Sequence, residues 1–291
     1  MNTVFREILD EIQWHLPKKM AHSIIHFRTN KCFMPWNNPQ TYDEKVRWLL
    51  VNCYGEKESK YADKYEVRSY VEKCGLSHIL IHCYGAWDKV ENIDINSLPQ
   101  KFIMKATQGS GPDCYAIVRN KDDRAELNKA LQKMKKALKF NTAKCSCQYH
   151  YKYIKPRIIC EELLEDEHGK SYMTDYKIVC TNGVARYILV CSDRSEGRDY
   201  FDREWNYLPF TKPEYRSKFE IQKPEGLQEM LNIAEKLSKP FAVARIDLYN
   251  VNGKIYFGEI TLTPSACYTG NLTREAQLEI GSKIKLPELG K

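Results

Sequence analysis

The chain has 291 residues, of which 43% are hydrophobic, and carries a formal net charge of +7. That length exceeds a usual single domain, so two or three packed lobes are expected, and the apolar content excludes a disordered or low-complexity chain. No apolar run approaches the ~20 residues of a membrane span, and Met1 to Asp10 lacks the apolar stretch of a signal peptide, so a cytoplasmic protein is expected.

The first hundred residues read as mainly helical. Phe5, Ile8, Leu9 and Ile12 recur at helical spacing, as do Val46, Leu49 and Leu50. Thr41 with Glu44 has the capping-box spacing that marks a helix start. Lys64 to Cys74 is a further expected helix, ended by Gly75. Residues 1–35 are expected to pack against the body of the protein, with an amphipathic segment on a membrane surface as the other use. Leu98-Pro99-Gln100 punctuates the change to a new lobe.

Beyond it the pattern turns to strands. Lys101 to Thr107 reads as a strand, followed by the loop Gln108-Gly109-Ser110-Gly111 and a second strand from Cys114 to Val118. A helix from Asp123 to Lys139 comes next. Strands are expected at Arg157 to Leu163, Tyr172 to Cys180 and Val184 to Cys191, the last two joined by a turn at Asn182-Gly183. Glu225 to Lys239 reads as an amphipathic helix closed by Pro240. Helices and mostly antiparallel strands in separate blocks indicate an α+β fold.

Eleven cysteines at irregular spacing, an odd number, read as reduced thiols rather than a disulfide framework. Cys145-Ser146-Cys147 is the one close pair, and without a matching second pair no zinc site is expected. Much of the positive charge lies in Lys129, Lys133, Lys135, Lys136, Lys139 and Lys144. This is a solvated helix face or a surface for anionic polymers or lipid headgroups.

The residues that can carry chemistry lie in three places. Lys105 precedes the Gly109-Ser110-Gly111 turn, where backbone N–H groups can close around phosphate oxygens beside a cation. The Walker pattern and the dinucleotide fingerprint are both absent. Ile158-Ile159-Cys160-Glu161-Glu162-Leu163-Leu164 is a strand emerging into solvent or a hinge that holds a purine. Arg245-Ile246-Asp247-Leu248-Tyr249, Asn252-Gly253 and Phe257-Gly258-Glu259-Ile260-Thr261 form a hairpin, with strands expected at Phe241 to Tyr249 and Lys254 to Thr263. Arg245 and Asp247 share one face by the period of two. A two-residue Asn252-Gly253 loop would turn Glu259 to the opposite face. A three-residue Val251-Asn252-Gly253 loop would pair Asp247 with Phe257 and make Glu259 its diagonal neighbour, close enough to share a hard cation.

In the order Asp63-Lys64, Lys105 with the glycine turn, Glu161 to Leu164, Arg245-x-Asp247 and Glu259-x-Thr261, the chain resembles the ATP-grasp superfamily. More narrowly it resembles the TupA-like ATP-grasp proteins of bacterial surface-polysaccharide biosynthesis (teichuronopeptide and capsule clusters). The narrower likeness rests on Asn38 to Trp48, Ala62 to Arg68, Asp175-Tyr176-Lys177 and Phe257 to Thr261, and extends over about residues 35 to 285. It implies two α+β lobes holding ATP between them, with a helical region at 1–100 on the substrate side and lobes at 101–165 and 166–291.

The resemblance also implies roles. Lys64 and Lys105 would contact ATP phosphates under a mobile loop of Gly109, Ser110 and Gly111. Glu161, Glu162, Leu163 and Leu164 would hold adenine, with Asp175 near the ribose and Lys177 beside the nucleotide. Arg245 and Lys105 would act in catalysis. Asp247, Glu259 and Thr261 would hold Mg²⁺, two ions in all, although many ATP-grasp ligases have Asn where Thr261 stands. The activity implied is an ATP-dependent, ADP-forming carboxylate–amine ligase. Its partners would be a saccharide bearing a uronic acid and a small amine; apart from the resemblance, no nucleic acid is expected, and the other use of residues 1–35 would be a peripheral contact with the cytoplasmic membrane face. The sequence itself names no general base; His82 and His150 are the candidates, with a structural role as the other reading of each. The other readings are a glycosyltransferase-like polysaccharide enzyme and a non-catalytic binder of polyanions or nucleic acid.

Overall fold

The computed structural model describes residues 3–165, 169, 171, 174–191 and 197–289. Five helices open the chain: α1 (Thr3–Trp14), α2 (Lys18–Asn30), α3 (Tyr42–Asn52), α4 (Glu56–Ala62) and α5 (Val67–Lys73). The expected capping box forms at α3. The Thr41 hydroxyl accepts from the Glu44 N–H at 3.3 Å, and the Glu44 carboxylate accepts from the Thr41 N–H at 3.0 Å. Side chain and backbone thereby satisfy each other where a helix start leaves its N–H groups unpaired.

The helix expected from Lys64 begins three residues later, at Val67. The Asp63 carboxylate accepts from the N–H groups of Tyr65 and Glu66, and the Lys64 N–H donates to the Thr107 carbonyl at 3.2 Å. Arg157 then clamps both Asp63 and Glu66. These bonds draw Lys64 out of any helix and dock it against the end of a strand.

The smaller sheet has the order β1-β4-β2-β3, antiparallel throughout: β1 (Cys83–Trp87), β2 (Phe102–Ala106), β3 (Tyr115–Val118) and β4 (Ile158–Glu162). Helix α6 (Arg124–Ala137) covers one face, where Phe102, Met104, Val118, Ala130 and Met134 form a closed core. Strand β1 departs from the mainly helical expectation for the first hundred residues. It belongs to this sheet, and Val90, Ile93 and Leu98 pack in the sheet's core, although all lie before Pro99.

The larger sheet has the order β10-β9-β5-β6-β7-β8. It contains β5 (Asp175–Thr181), β6 (Val184–Cys191), β7 (Asp199–Phe201), β8 (Tyr207–Leu208), β9 (Val243–Val251) and β10 (Lys254–Thr261). Asn182 and Gly183 join β5 to β6 with φ of 49° and 76°, the left-handed pair that matches strand twist in a two-residue turn. The strand expected from Tyr172 starts at Asp175; Tyr172 and Met173 lie outside the described residues. Helix α7 (Leu227–Ser238) buries Leu227, Met230, Leu231, Ala234 and Leu237 against this sheet, roughly 1.5–3 kcal/mol for each large side chain. Helix α8 (Arg274–Ser282) packs on α3. Among the described residues no helix is long and apolar enough to cross a membrane.

Candidate functional site

The two sheets face each other across a cavity lined by β2, β3 and the glycine turn on one side and by β5, β9 and β10 on the other. The larger sheet's contribution depends on one irregularity in the β9–β10 hairpin. Val251 pairs with Lys254, so the turn is the two-residue Asn252-Gly253 loop, with φ of 52° and 80°. By simple alternation that turn would send Glu259 to the wrong face. A β-bulge between Phe257 and Glu259 shifts the register by one, and Glu259 pairs directly with Asp247. The two-residue turn is thus one of the two expected from sequence, but the bulge, which neither expectation contained, reverses its consequence, and the two carboxylates share a face.

On the neighbouring strand Lys177 pairs with Asp247, so Lys177, Asp247 and Glu259 form one rung across β5, β9 and β10. Arg245 and Thr261 form the next rung on that face. The charges interlock along these rungs. The Lys177 ammonium donates to Asp247 at 2.8 Å and to Asp175 at 3.0 Å. The Arg245 guanidinium donates to both Asp247 oxygens at 2.7 Å and to Glu259 at 3.2 Å. The Thr261 hydroxyl donates to Glu259 at 3.0 Å and accepts from Arg245. Lys64 reaches Glu259 from the side at 3.5 Å. Burial opposes the charge on Glu259, but Lys64, Arg245 and Lys177 outweigh it and draw the carboxyl down to about 2. Burial likewise opposes the charge on Lys177, and Asp247 more than restores it, holding the ammonium above its ordinary range.

The smaller sheet supplies the opposite wall by strict alternation. Phe102, Met104 and Ala106 point into the α6 core, which leaves Ile103 and Lys105 facing the cavity, joined by Tyr115 and Ile117 of β3. Lys105 donates to Glu161 at 2.8 Å, and Arg68 holds the other Glu161 oxygen at 3.1 Å. The Lys64 ammonium donates to the Gly109 carbonyl at 2.6 Å, which ties the glycine turn over the cavity. Gly109 itself is irreplaceable by space: a Cβ there would lie 2.4 Å from the Cys114 sulfur.

The cavity brings together Lys64, Lys105, Gly109, Ser110, Gly111, Glu162, Leu163, Leu164, Asp175, Lys177, Asp247 and Glu259. Arg245 and Thr261 are outside the lining; they lie further along the same face of the sheet, in contact with the cavity wall through Asp247 and Glu259. Glu161 does not line the cavity; it is buried beneath Lys105 as that lysine's counter-ion. His150 is wholly buried among the rings of Tyr54 and Tyr151, and its burial pushes the imidazole down to about 3. His82 is an exposed residue packed against Tyr84. Neither histidine reaches the cavity, so neither candidate base is placed at the chemistry. Sequence reasoning missed the apolar walls, Ile81, Ile103, Ile117 and Tyr249. Ile103 stands two residues from Lys105 on the same strand, a signal the period of two carries.

The profile of the TupA-like ATPgrasp family matches residues 44–285. Among solved structures the chain is similar to the L-amino acid ligase from Bacillus licheniformis, with 14% identity and a TM-score of 0.47 over 84% of this chain and 55% of that one. It is also similar to the D-alanine–D-alanine ligase from Bacillus anthracis (14% identity, TM-score 0.45, 82% of this chain and 64% of that one). A third is the D-Alanine-D-Alanine Ligase from Helicobacter pylori (15% identity, TM-score 0.43, 77% and 61%). The chain thus spans 55–64% of the length of these three structures. No functionally curated protein matches the sequence. At such identities the assignment rests on the family match.

Proposed function

Because the chain belongs to the TupA-like ATPgrasp family over residues 44–285, we propose that it is an ATP-dependent carboxylate–amine ligase. The finer proposal is that it joins an amino acid or amino alcohol to a uronic acid of a cell-surface polysaccharide. The observation that carries the reading is the rung of Lys177, Asp247 and Glu259, backed by Arg245, facing Lys105 and the glycine turn across one cavity. Cations on both walls and a glycine turn suit a polyphosphate, and the apolar surfaces of Ile81, Ile103 and Ile117 beside Glu162 to Leu164 suit a flat base.

The residues present fit Mg²⁺. Asp247 and Glu259 are hard oxygen donors on one rung, and among the described residues no three His, Cys, Asp or Glu side chains form a complete cage. Mg²⁺ takes one or two carboxylates and completes its shell with water and phosphate oxygens, which matches such a half-site. Asp247 and Glu259 would hold it, with Thr261 supporting Glu259, and bound there it would neutralise phosphate charge.

Forming an amide from a carboxylate is uphill in water. In the proposed reaction a substrate carboxylate oxygen attacks the γ-phosphorus of ATP, the bond to ADP breaks, and an acyl phosphate results. The amine then attacks the acyl carbon, loses a proton and expels inorganic phosphate. Lys64, Lys105 and Arg245 would stabilise charge on the phosphoryl oxygens as it moves. The glycine turn, already tethered by Lys64, would exclude water from the acyl phosphate. Titration of Mg²⁺-ATP by calorimetry, wild type against Glu259→Gln, tests the site: metal-dependent binding, weakened by the substitution, is expected. Uronates paired with amines would then be screened for ADP release. Folded protein that binds no ATP would overturn the ligase reading.

A further inference from the structure

We propose that α2 and the segment after it form a docking face for an anionic lipid bilayer. This face lies outside residues 44–285, which the family profile matches. Helix α2 has two opposed faces. Ala21, His22, Ile25 and His26 are buried against the body, where His22 bonds the Cys147 carbonyl at 3.1 Å and Arg47 at 3.0 Å. That side fixes the helix. The other side carries Met20, Ile24 and Phe27, at positions i, i+4 and i+7, which are 53%, 36% and 46% exposed. Phe33, 85% exposed, packs its ring 5.4 Å from that of Phe27 and extends the apolar strip past the helix end. Helix α1 separately exposes Ile8 and Ile12, one turn apart. Apolar side chains in a row on a rigid helix mark an interaction surface rather than scattered exposure.

The charge around the strip selects the occupant. Between Glu11 and Asp43 the chain has no Asp or Glu, whereas Lys18, Lys19, Arg28 and Lys31 all fall there. Lys18, Lys19 and Lys31 are exposed, at the two ends of the helix. A helix that offers aromatic and aliphatic side chains between lysines is built to lie in the headgroup region, its apolar side among acyl chains and its ammonium groups on anionic lipid. A second copy of the chain is disfavoured, because a two-fold contact through this face would set lysines against lysines. The inference is independent of the reaction proposed for the cavity.

Flotation of the full-length protein with vesicles tests it, comparing phosphatidylcholine alone with phosphatidylcholine containing about one-third phosphatidylglycerol. The wild type is expected to float with the anionic vesicles and not with the neutral ones. The pair Phe27→Ser with Phe33→Ser is expected to lower that binding by about tenfold or more, and Lys19→Glu with Lys31→Glu to lower it and flatten its salt dependence. All four positions are exposed, so both pairs should keep the wild-type melting temperature. Absence of vesicle binding, or binding that neither pair alters, would overturn the proposal. So would sedimentation showing a wild-type dimer that the Phe pair converts to monomer without any vesicle binding.

Discussion

Gly258 is the hinge of the site, and Gly258→Ala isolates its role. The glycine sits in the bulge that brings Glu259 opposite Asp247. A Cβ there would stand 2.9 Å from the Asp247 carbonyl oxygen and 3.2 Å from the Tyr249 ring. The nearer contact is backbone within a paired strand, which cannot swing aside as a side chain does. Relief must come either from widening the hairpin or from losing the bulge, and the second returns Glu259 to the opposite face. Overpacking of this kind costs about 1–3 kcal/mol. If that strain falls on the rung, Mg²⁺-nucleotide affinity should drop about 5- to 150-fold, at about 1.4 kcal/mol per factor of ten. Calorimetry with Mg²⁺-ADP and thermal unfolding read the two consequences separately. Gly253→Ala is the control: at φ of 80° it strains the tip of the same hairpin, at about 1–2 kcal/mol, without touching the rung. It should lower the melting temperature and spare nucleotide binding. If Gly258→Ala binds Mg²⁺-ADP like the wild type, the bulge does not organise the site and the reasoning fails.

Further outcomes follow from neighbouring groups. Glu161→Gln leaves Lys105 and Arg68 without their shared counter-ion, so urea unfolding should show a loss approaching about 3 kcal/mol, the low end for a broken buried pair, together with weaker ATP binding. A wild-type unfolding midpoint would remove Glu161 from that role. His150 titrates near 3 when folded against an ordinary value of 6.5. Below about pH 6.5 the unfolded chain therefore takes up a proton that the folded chain refuses, and stability falls toward pH 4 at up to about 1.4 kcal/mol per unit. His22, drawn down to about 3 by burial and the nearby Arg47, adds to the fall, so His150→Phe should flatten it in part; an unchanged slope in urea titrations at pH 7, 5.5 and 4.5 would show that the His150 imidazole is not a source. Arg157→Met frees the turn that presents Lys64, and should weaken ATP binding several-fold in calorimetry while the β5–β9–β10 rung is kept.

How far the site could be read in advance follows from which interactions are local. Arg245 and Asp247 sit two apart on one strand, so their common face needs no knowledge of a partner, and the same rule would have added Ile103 to Lys105. Thr41 and Glu44 cap α3 within three residues, and that helix start was legible for the same reason. Glu259 was not, because its face depends on both the turn and the bulge, and a bulge at Gly258 leaves no periodic trace. Lys64 was read into a helix because Lys64 to Cys74 favours one; the bonds of Asp63 and the clamp of Arg157, 94 positions along the chain, override that preference. Glu161 shows the remaining gap. Its place in a strand was evident, but its partner was set by the β2–β4 register, which puts Glu161 opposite Ile103 and diagonal to Lys105. A carboxylate expected beside adenine is, in the structure, the counter-ion that steadies a cation on the cavity wall. Register, which is a property of two strands, sets Glu161 on the face of Ile103 and Lys105, where the Lys105 ammonium covers it, while Glu162 lines the cavity from the end of the strand.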